Sequence, residues 1–295
     1  MPEPTAIITA NGGLRAVQID APAACGLVYL HGAHVASWIP AGADRDVLWL
    51  SEKSHWAAGK PIRGGVPICF PWFGPRKDDP AAPAHGFARL KEWTLESTQV
   101  MPEGAARVTL LLQSDDDTRR LWPHDFALRM RATFGKELEM RLELTNTGDA
   151  PLTAEEALHT YFAVADARTL TIRGLTGARY IDKVDGMKEK TQEGSIRIIG
   201  ETDRVYANTT AEVIVEDSAT ARSPGRHIHI SKEGSADTVV WNPWIAKAKA
   251  MADFGDDEWP GMLCVETCNV MANALRLTPG QSASMTARVR IHPES

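Results

Sequence analysis

The tightest constraint on this 295-residue chain is a two-residue alternation. In Glu137-Leu138-Glu139-Met140-Arg141-Leu142-Glu143-Leu144 the leucines and the methionine fall on one side and the charges on the other. Successive side chains on a strand point to opposite faces, so this is the pattern of a half-buried β-strand. The same period runs through 128–134, 211–215, 227–230 and 284–291, where Met285, Ala287, Val289 and Ile291 share a face. Turn clusters such as Asn146-Thr147-Gly148-Asp149, Lys232-Glu233-Gly234-Ser235 and Pro279-Gly280 separate such runs at hairpin spacing. Two short helices are expected, one starting near Asp117-Thr118 and stopping before Pro123, the other running over 245–254 and ended by Gly255.

No repeat, composition break or proline-rich linker divides the chain, so 1–295 reads as a single all-β domain, a large antiparallel β-sandwich with a few short helices. Hydrophobic residues at 43% and charged residues at 24% supply a core and a solvated surface, which excludes a disordered chain. A formal net charge of −6 and the lack of a basic run argue against nucleic acid, so an anionic ligand must meet a local basic cluster. No stretch approaches the ~18 apolar residues of a membrane span. Met1-Pro2-Glu3-Pro4 opens the chain without a signal-peptide pattern, and a cytoplasmic protein is expected. The four cysteines, Cys25, Cys69, Cys264 and Cys268, suit buried reduced thiols.

Several segments carry chemistry. Ala157-Leu158-His159-Thr160-Tyr161-Phe162-Ala163-Val164 reads as a strand with His159 and Tyr161 on one face and Leu158, Thr160 and Phe162 on the other. His159 is then either a hydrogen-bonded structural imidazole or a group facing a site. In Leu263-Cys264-Val265-Glu266-Thr267-Cys268, Glu266 shares its face with two cysteines; a carboxylate there must be paired, hydrogen-bonded or functional. Cys264 and Cys268 lie roughly 13 Å apart on a strand at ~3.3 Å per residue, too far to share one zinc, and His31-Gly32-Ala33-His34 lacks further ligands nearby. No metal is expected. Arg63, in Lys60-Pro61-Ile62-Arg63-Gly64-Gly65-Val66-Pro67, and Arg89, after His85-Gly86-Phe87-Ala88, are either unrelated surface arginines or a forked anion clamp. Trp72 and Trp241-Asn242-Pro243-Trp244 offer aromatic faces that serve a core or a sugar site.

Together these segments resemble the aldose 1-epimerase superfamily, and within it the hexose-6-phosphate mutarotases, also called glucose-6-phosphate 1-epimerases. The resemblance runs from His31-Gly32-Ala33-His34-Val35-Ala36-Ser37-Trp38 through 61–74, His85-Gly86-Phe87-Ala88-Arg89, Trp122-Pro123, Leu158-His159-Thr160-Tyr161-Phe162 and Val240-Trp241-Asn242-Pro243 to Cys264-Val265-Glu266. It implies a galactose-mutarotase-type sandwich, with His159 and Glu266 as the catalytic pair. It also implies Arg63 and Arg89 as phosphate contacts, Asp203 as a sugar-contacting carboxylate, and His85 as a substrate-binding neighbour. Where it implies a polar residue such as glutamine before the His-Gly-Phe-Ala-Arg segment, this chain has Ala84.

The implied reaction exchanges the α and β anomers of a hexose 6-phosphate by ring opening, rotation about C1–C2 and closure. One base and one acid suffice, with no cofactor: Glu266 takes the C1 hydroxyl proton and a charged His159 donates to the ring oxygen, the two groups sitting on opposite sides of one hemiacetal. The partner is then a small sugar phosphate, and the protein a monomer. Three other readings stand beside this one: an epimerase of free aldoses, a glycoside hydrolase pairing Glu266 with Asp203 or Glu156, and a catalytically silent sugar-phosphate binder.

Overall fold

A computed structural model describes residues 4–76, 78–220 and 224–294; Met1 to Glu3, part of the N-terminal reading above, lie outside these. Two eight-stranded antiparallel sheets dominate. One, in spatial order, joins Thr171–Arg173, Val213–Asp217, Arg226–Glu233, Ser282–Pro293, Glu137–Asn146, Phe126–Phe134, Ala106–Gln113 and Thr94–Val100. We call it the ladder sheet. Its strands contain the alternating runs 128–134, 137–144, 227–230 and 284–291, and the run 211–215 from Val213 onward; their apolar positions, among them Leu128, Met130, Leu138, Met140, Leu142, Leu144, Met285 and Val289, are fully buried.

The other, the site sheet, runs Lys188–Thr191, Arg179–Asp182, Thr202–Tyr206, Asp237–Asn242, Met262–Asn269, Glu156–Leu158, Ile68–Cys69, with Tyr161–Ala163 also paired to Met262–Asn269. Its inward residues Leu158, Phe162, Val240, Leu263 and Val265 join the ladder sheet's apolar face in one cluster, which is the sandwich core. Burial of each such side chain contributes about 1.5–3 kcal/mol. The outward residues of the site sheet are buried as well: Ala157, Tyr161, Val239, Trp241, Cys264 and Cys268 pack beneath Phe254 and Trp259. A four-stranded sheet of Thr5–Thr9, Arg15–Ala21, Ala24–Tyr29 and His34–Pro40 completes the sandwich, with Val28, Val35 and Trp38 in the shared core.

The helices differ slightly from expectation. The first covers Asp116–Leu121, one residue earlier at its start, because Asp115 caps it: its carboxylate accepts from the Thr118 amide at 2.7 Å while the Thr118 hydroxyl accepts from the Asp115 amide at 2.8 Å. The second covers only Trp244–Ala250. It unwinds early because Asp253 turns back to Arg63 and Phe254 enters the cluster over Trp49, with ring centroids 4.9 Å apart. Cys25 corrects the reading of four buried thiols. It projects from the strand Ala24–Tyr29 into solvent beside Asp20, while Cys69, Cys264 and Cys268 are buried.

Candidate functional site

The outer face of the site sheet is where polar side chains collect. Strand register lays Asp203 against Trp241, Trp241 against Cys264, and Cys264 against Tyr161, one row across four strands. The next row holds Glu266. The expected continuous strand over 157–164 is in fact broken between Leu158 and Tyr161, and the gap lies opposite Glu266, with the Val265 amide donating to the Thr160 carbonyl. The arginine-bearing loop docks on this gap. The His159 amide donates to the Pro67 carbonyl at 3.0 Å and the Tyr161 amide to the Gly65 carbonyl at 2.9 Å. Gly64 and Gly65 make this approach possible: both have positive φ, and a Cβ would stand 2.3 Å from the Trp49 carbonyl and 2.4 Å from the Val35 carbonyl respectively.

His159 and Glu266 therefore meet. Nε2 lies 3.3 Å from Oε1, with both side chains almost wholly buried. The His159 ring stacks on Tyr161 at 4.8 Å, and Trp241 stands edge-on at 5.9 Å. Burial, then the cations Arg89 and Arg63, holds His159 well below its ordinary pKa. Burial, then Asp203, pushes Glu266 well above the carboxylate range, against the pull of Lys183 and Arg89. Each group taken by itself is thus pushed toward its neutral form, while the pair together holds one titratable proton. The two groups also touch, so their polar ends converge on one point of this face.

His85 joins from the loop before Gly86. It has positive φ, and its ring lies 5.7 Å from that of His159 and 4.9 Å from Phe73. The Gly74 amide donates to His85 Nδ1 at 3.3 Å, with Cys69 Sγ also at 3.3 Å, so the hydrogen-bond network assigns the proton to Nε2. Burial, then Arg89 and His159, keeps this imidazole uncharged. It is a donor at Nε2.

The two arginines are brought to the same region but differ. Arg63 donates from Nε and Nη2 to Asp253 at 3.2 and 3.1 Å and from Nη1 to the Tyr161 hydroxyl at 2.9 Å. Arg89 donates from Nη2 to the Ala84 carbonyl at 2.7 Å, while its buried Nε has no partner. Ala84, the departure noted above, therefore contributes through its backbone. Asp203 is paired with Lys183 at 2.9 Å. Glu156 lies apart from this group. It alternates onto the core side with Leu158, and accepts from Asn269 Nδ2 at 2.9 Å, which removes it as a partner of Glu266. His31 is held by the Lys60 carbonyl at 2.7 Å and His34 is buried, its pKa pushed down to about 3 by burial and by His31 and Arg89. Among the described residues no three His, Cys, Asp or Glu side chains gather as metal ligands, and no helix is long and apolar enough to cross a membrane.

Lys183 and Asp253 also reach this group without any signal in the sequence, and Phe73, from the 61–74 stretch, packs on His85. Lys183 sits in the turn that follows Arg179–Asp182, a segment with no reading of its own in the sequence, and Asp253 falls in the stretch expected as a helix. Only pairing across the fold exposes them.

Residues 15–290 match the family model described as aldose 1-epimerase. The chain belongs to the aldose 1-epimerase family. With that membership it is an isomerase that exchanges sugar anomers, on a sandwich of the galactose-mutarotase type. An Escherichia coli protein provisionally named glucose-6-phosphate 1-epimerase is 37% identical over 279 residues, 94% of this chain and 90% of its own length. A Cenchrus ciliaris protein with the same provisional name is 35% identical, over 95% of this chain and 86% of its own. A crystal structure from Salmonella typhimurium, provisionally described as a mutarotase, superposes with a TM-score of 0.90 at 33% identity, covering 100% of this chain and 96% of that one.

Proposed function

We propose that this epimerase acts on a hexose 6-phosphate, with glucose 6-phosphate as the leading substrate, and that His159 and Glu266 move the protons. The observation that carries this reading is the 3.3 Å contact between Nε2 and Oε1 on a face that also gathers Arg63, Arg89 and Lys183. The hydroxyl O1 and the ring oxygen O5 of a hemiacetal are both bonded to C1, so an acid and a base already in contact can serve both atoms. One group withdraws the O1 proton as the other protonates O5, the C1–O5 bond breaks, the aldehyde turns about C1–C2, and closure runs the transfers in reverse. Because the pair carries one proton in total, it can start with that proton on either partner. Phosphate binding near Arg89 and Arg63 offsets the two cations that, after burial, hold His159 neutral, and so favours His159 as the acid and Glu266 as the base.

His85 Nε2–H and Asp203 supply a donor and an acceptor for sugar hydroxyls, and Arg89 and Arg63 hold the phosphate with charge-assisted bonds. The reaction needs no metal or redox cofactor in this scheme. Buried reduced thiols at Cys69, Cys264 and Cys268 and a phosphorylated metabolite suit a cytoplasmic enzyme, and the buried catalytic face is assembled within one chain, which suits a single-domain monomer without nucleic-acid or membrane partners.

Anomer exchange of glucose 6-phosphate, followed by magnetisation-transfer NMR with and without protein, tests the reading. Acceleration is expected, and it should exceed that for glucose. Equal acceleration of both sugars would transfer the reading to free aldoses, and release of phenol from aryl glycosides would replace it with hydrolysis. The turnover profile should keep its plateau beyond ~4.3 to ~6.5, the free carboxylate and imidazole values. His159 is pushed down, so the doubly protonated pair forms only in more acid; Glu266 is pushed up, so the last proton leaves only in more alkali.

A further inference from the structure

Three cations border the catalytic pair, and they are not equivalent. Arg63 has three of its five N–H donors committed to Asp253 and Tyr161, and its charge is matched by Asp253. Arg89 forms no ion pair with a carboxylate among the described residues and is fixed to the Ala84 carbonyl. Lys183 is built differently. It opens the turn between Arg179–Asp182 and Lys188–Thr191, and that turn is pinned from beneath: Asp182 Oδ1 accepts from the Val184 and Asp185 amides at 3.1 and 3.2 Å, and Lys190 Nζ meets Asp182 Oδ2 at 2.8 Å. The Lys183 amide donates to the Asp203 carbonyl at 2.9 Å. Its backbone is therefore held, while its side chain crosses toward the catalytic pair.

There Nζ stands 2.9 Å from Asp203 Oδ2 and 5.4 Å from the Phe73 ring centroid, and Phe73 packs edge-on against His85. Lys183 also lines a cleft of about 1000 Å3 with Trp72, Phe73, Met187 and Met271. The ammonium is ion-paired with one oxygen of Asp203 and carries three donors, more than that single oxygen can occupy. The side chain is 27% exposed, so it sits at the boundary between the buried pair and the cleft.

We infer that Lys183 is a specificity-determining residue that contacts the phosphate of the substrate. The inference rests on the sugar-phosphate reading above. A phosphate monoester brings a charge of about −1.5 to −2 at neutral pH. Arg89 alone offsets only part of that, since Asp253 already matches Arg63. The four-carbon stem of Lys183 lets its ammonium leave or share Asp203 and close the deficit, and as it does so the Asp203 carboxylate becomes free to accept from a sugar hydroxyl. Lys183 thus couples recognition of the anionic end to recognition of the hydroxyls.

The test compares wild type, Lys183→Met and Lys183→Arg, with glucose 6-phosphate as substrate and inorganic phosphate as competitor. In Lys183→Met the KM for glucose 6-phosphate and the inhibition constant of inorganic phosphate should both rise about tenfold or more, kcat should fall less than either, and Lys183→Arg should restore most of both. The alkaline limb of the turnover profile should also move up in Lys183→Met, because Lys183 is one of the two cations that hold Glu266 down. A fall in kcat with both constants unchanged would overturn the inference, leaving Lys183 as a support for Asp203. Unchanged kinetics would overturn it too. Failure of the wild type to accelerate exchange of glucose 6-phosphate would instead overturn the sugar-phosphate reading itself.

Discussion

The ladder sheet and the site sheet share one core yet treat their outer faces in opposite ways. On the ladder sheet the outer face is a solvated lattice of ion pairs, with Arg288 at 2.9 Å from Glu139, Arg290 at 3.0 Å from Glu137 and Arg131 at 3.2 Å from Glu143. Charges there keep much of their hydration, and each pair contributes little. On the site sheet the outer face is covered by Phe254, Trp259 and the loop carrying Arg63, yet it holds Glu266, His159 and Asp203. Ionisable groups in such a place are costly to bury, and burial shifts both His159 and Glu266 toward neutrality. The contrast teaches where stability and the proposed activity are separable: the ladder sheet holds the sandwich together, and the covered face of the site sheet gathers the groups proposed to move protons.

The sharpest way to break this comparison is Glu266→Gln. Anomer exchange should fall by about 10²–10⁴-fold, the range of positioned proton transfer, while the thermal midpoint stays level or rises, since a buried ionisable group is replaced by a neutral isostere. NMR exchange and a melting curve on the same sample decide it; a lower midpoint with exchange retained would return Glu266 to the structural residues. Leu142→Ala should do the reverse. It removes a fully buried side chain from the ladder sheet and should cost about 2–5 kcal/mol in denaturant unfolding, with exchange per folded molecule preserved.

Glu156 tests the inner side of the site sheet. Burial pushes its pKa up to about 7, against the lowering effect of Asn269. The folded pKa lies above the unfolded value of ~4.3, so the protonated group's stabilisation is complete below ~4.3 and is lost as pH rises through about 7. Relative to Glu156→Gln, the wild type should lose on the order of a few kcal/mol between pH 4 and pH 8; parallel stability curves for the two proteins would refute a protonated Glu156. The smallest effect is expected at Arg288→Ala, less than about 1 kcal/mol and smaller still in high salt, because its partners Glu139 and Glu137 are about a third exposed.

Legibility in the sequence follows the same division. The ladder sheet declares itself: residues 137–144 and 284–291 alternate because one face meets oil and the other water. The site sheet strands Asp237–Asn242 and Met262–Asn269 are buried on both faces, so their apolar runs carry no such period. Glu266 stood out there only as an acid among apolar neighbours. His159 was placed on the correct face, with Tyr161, but the strand break that aims it at Glu266 could not be read, because it depends on the loop 60–74 docking from elsewhere. Asp253 is hidden in a helical pattern, and nothing local marks Lys183, whose partner Asp203 lies on another strand.

By itself the chain's order of apolar, charged and turn residues determined an antiparallel sandwich, the inward faces of its strands, and the residue types able to move protons and hold an anion. Tertiary structure alone decided which of those residues meet: that His159 touches Glu266, that Arg63 is bound by Asp253 while Arg89 keeps an unpartnered Nε, and that Lys183 reaches Asp203. The reason is range. Alternation and turn formation are set by neighbours along the chain, whereas desolvation and charge pairing depend on groups that only the folded sheets bring within a few ångströms.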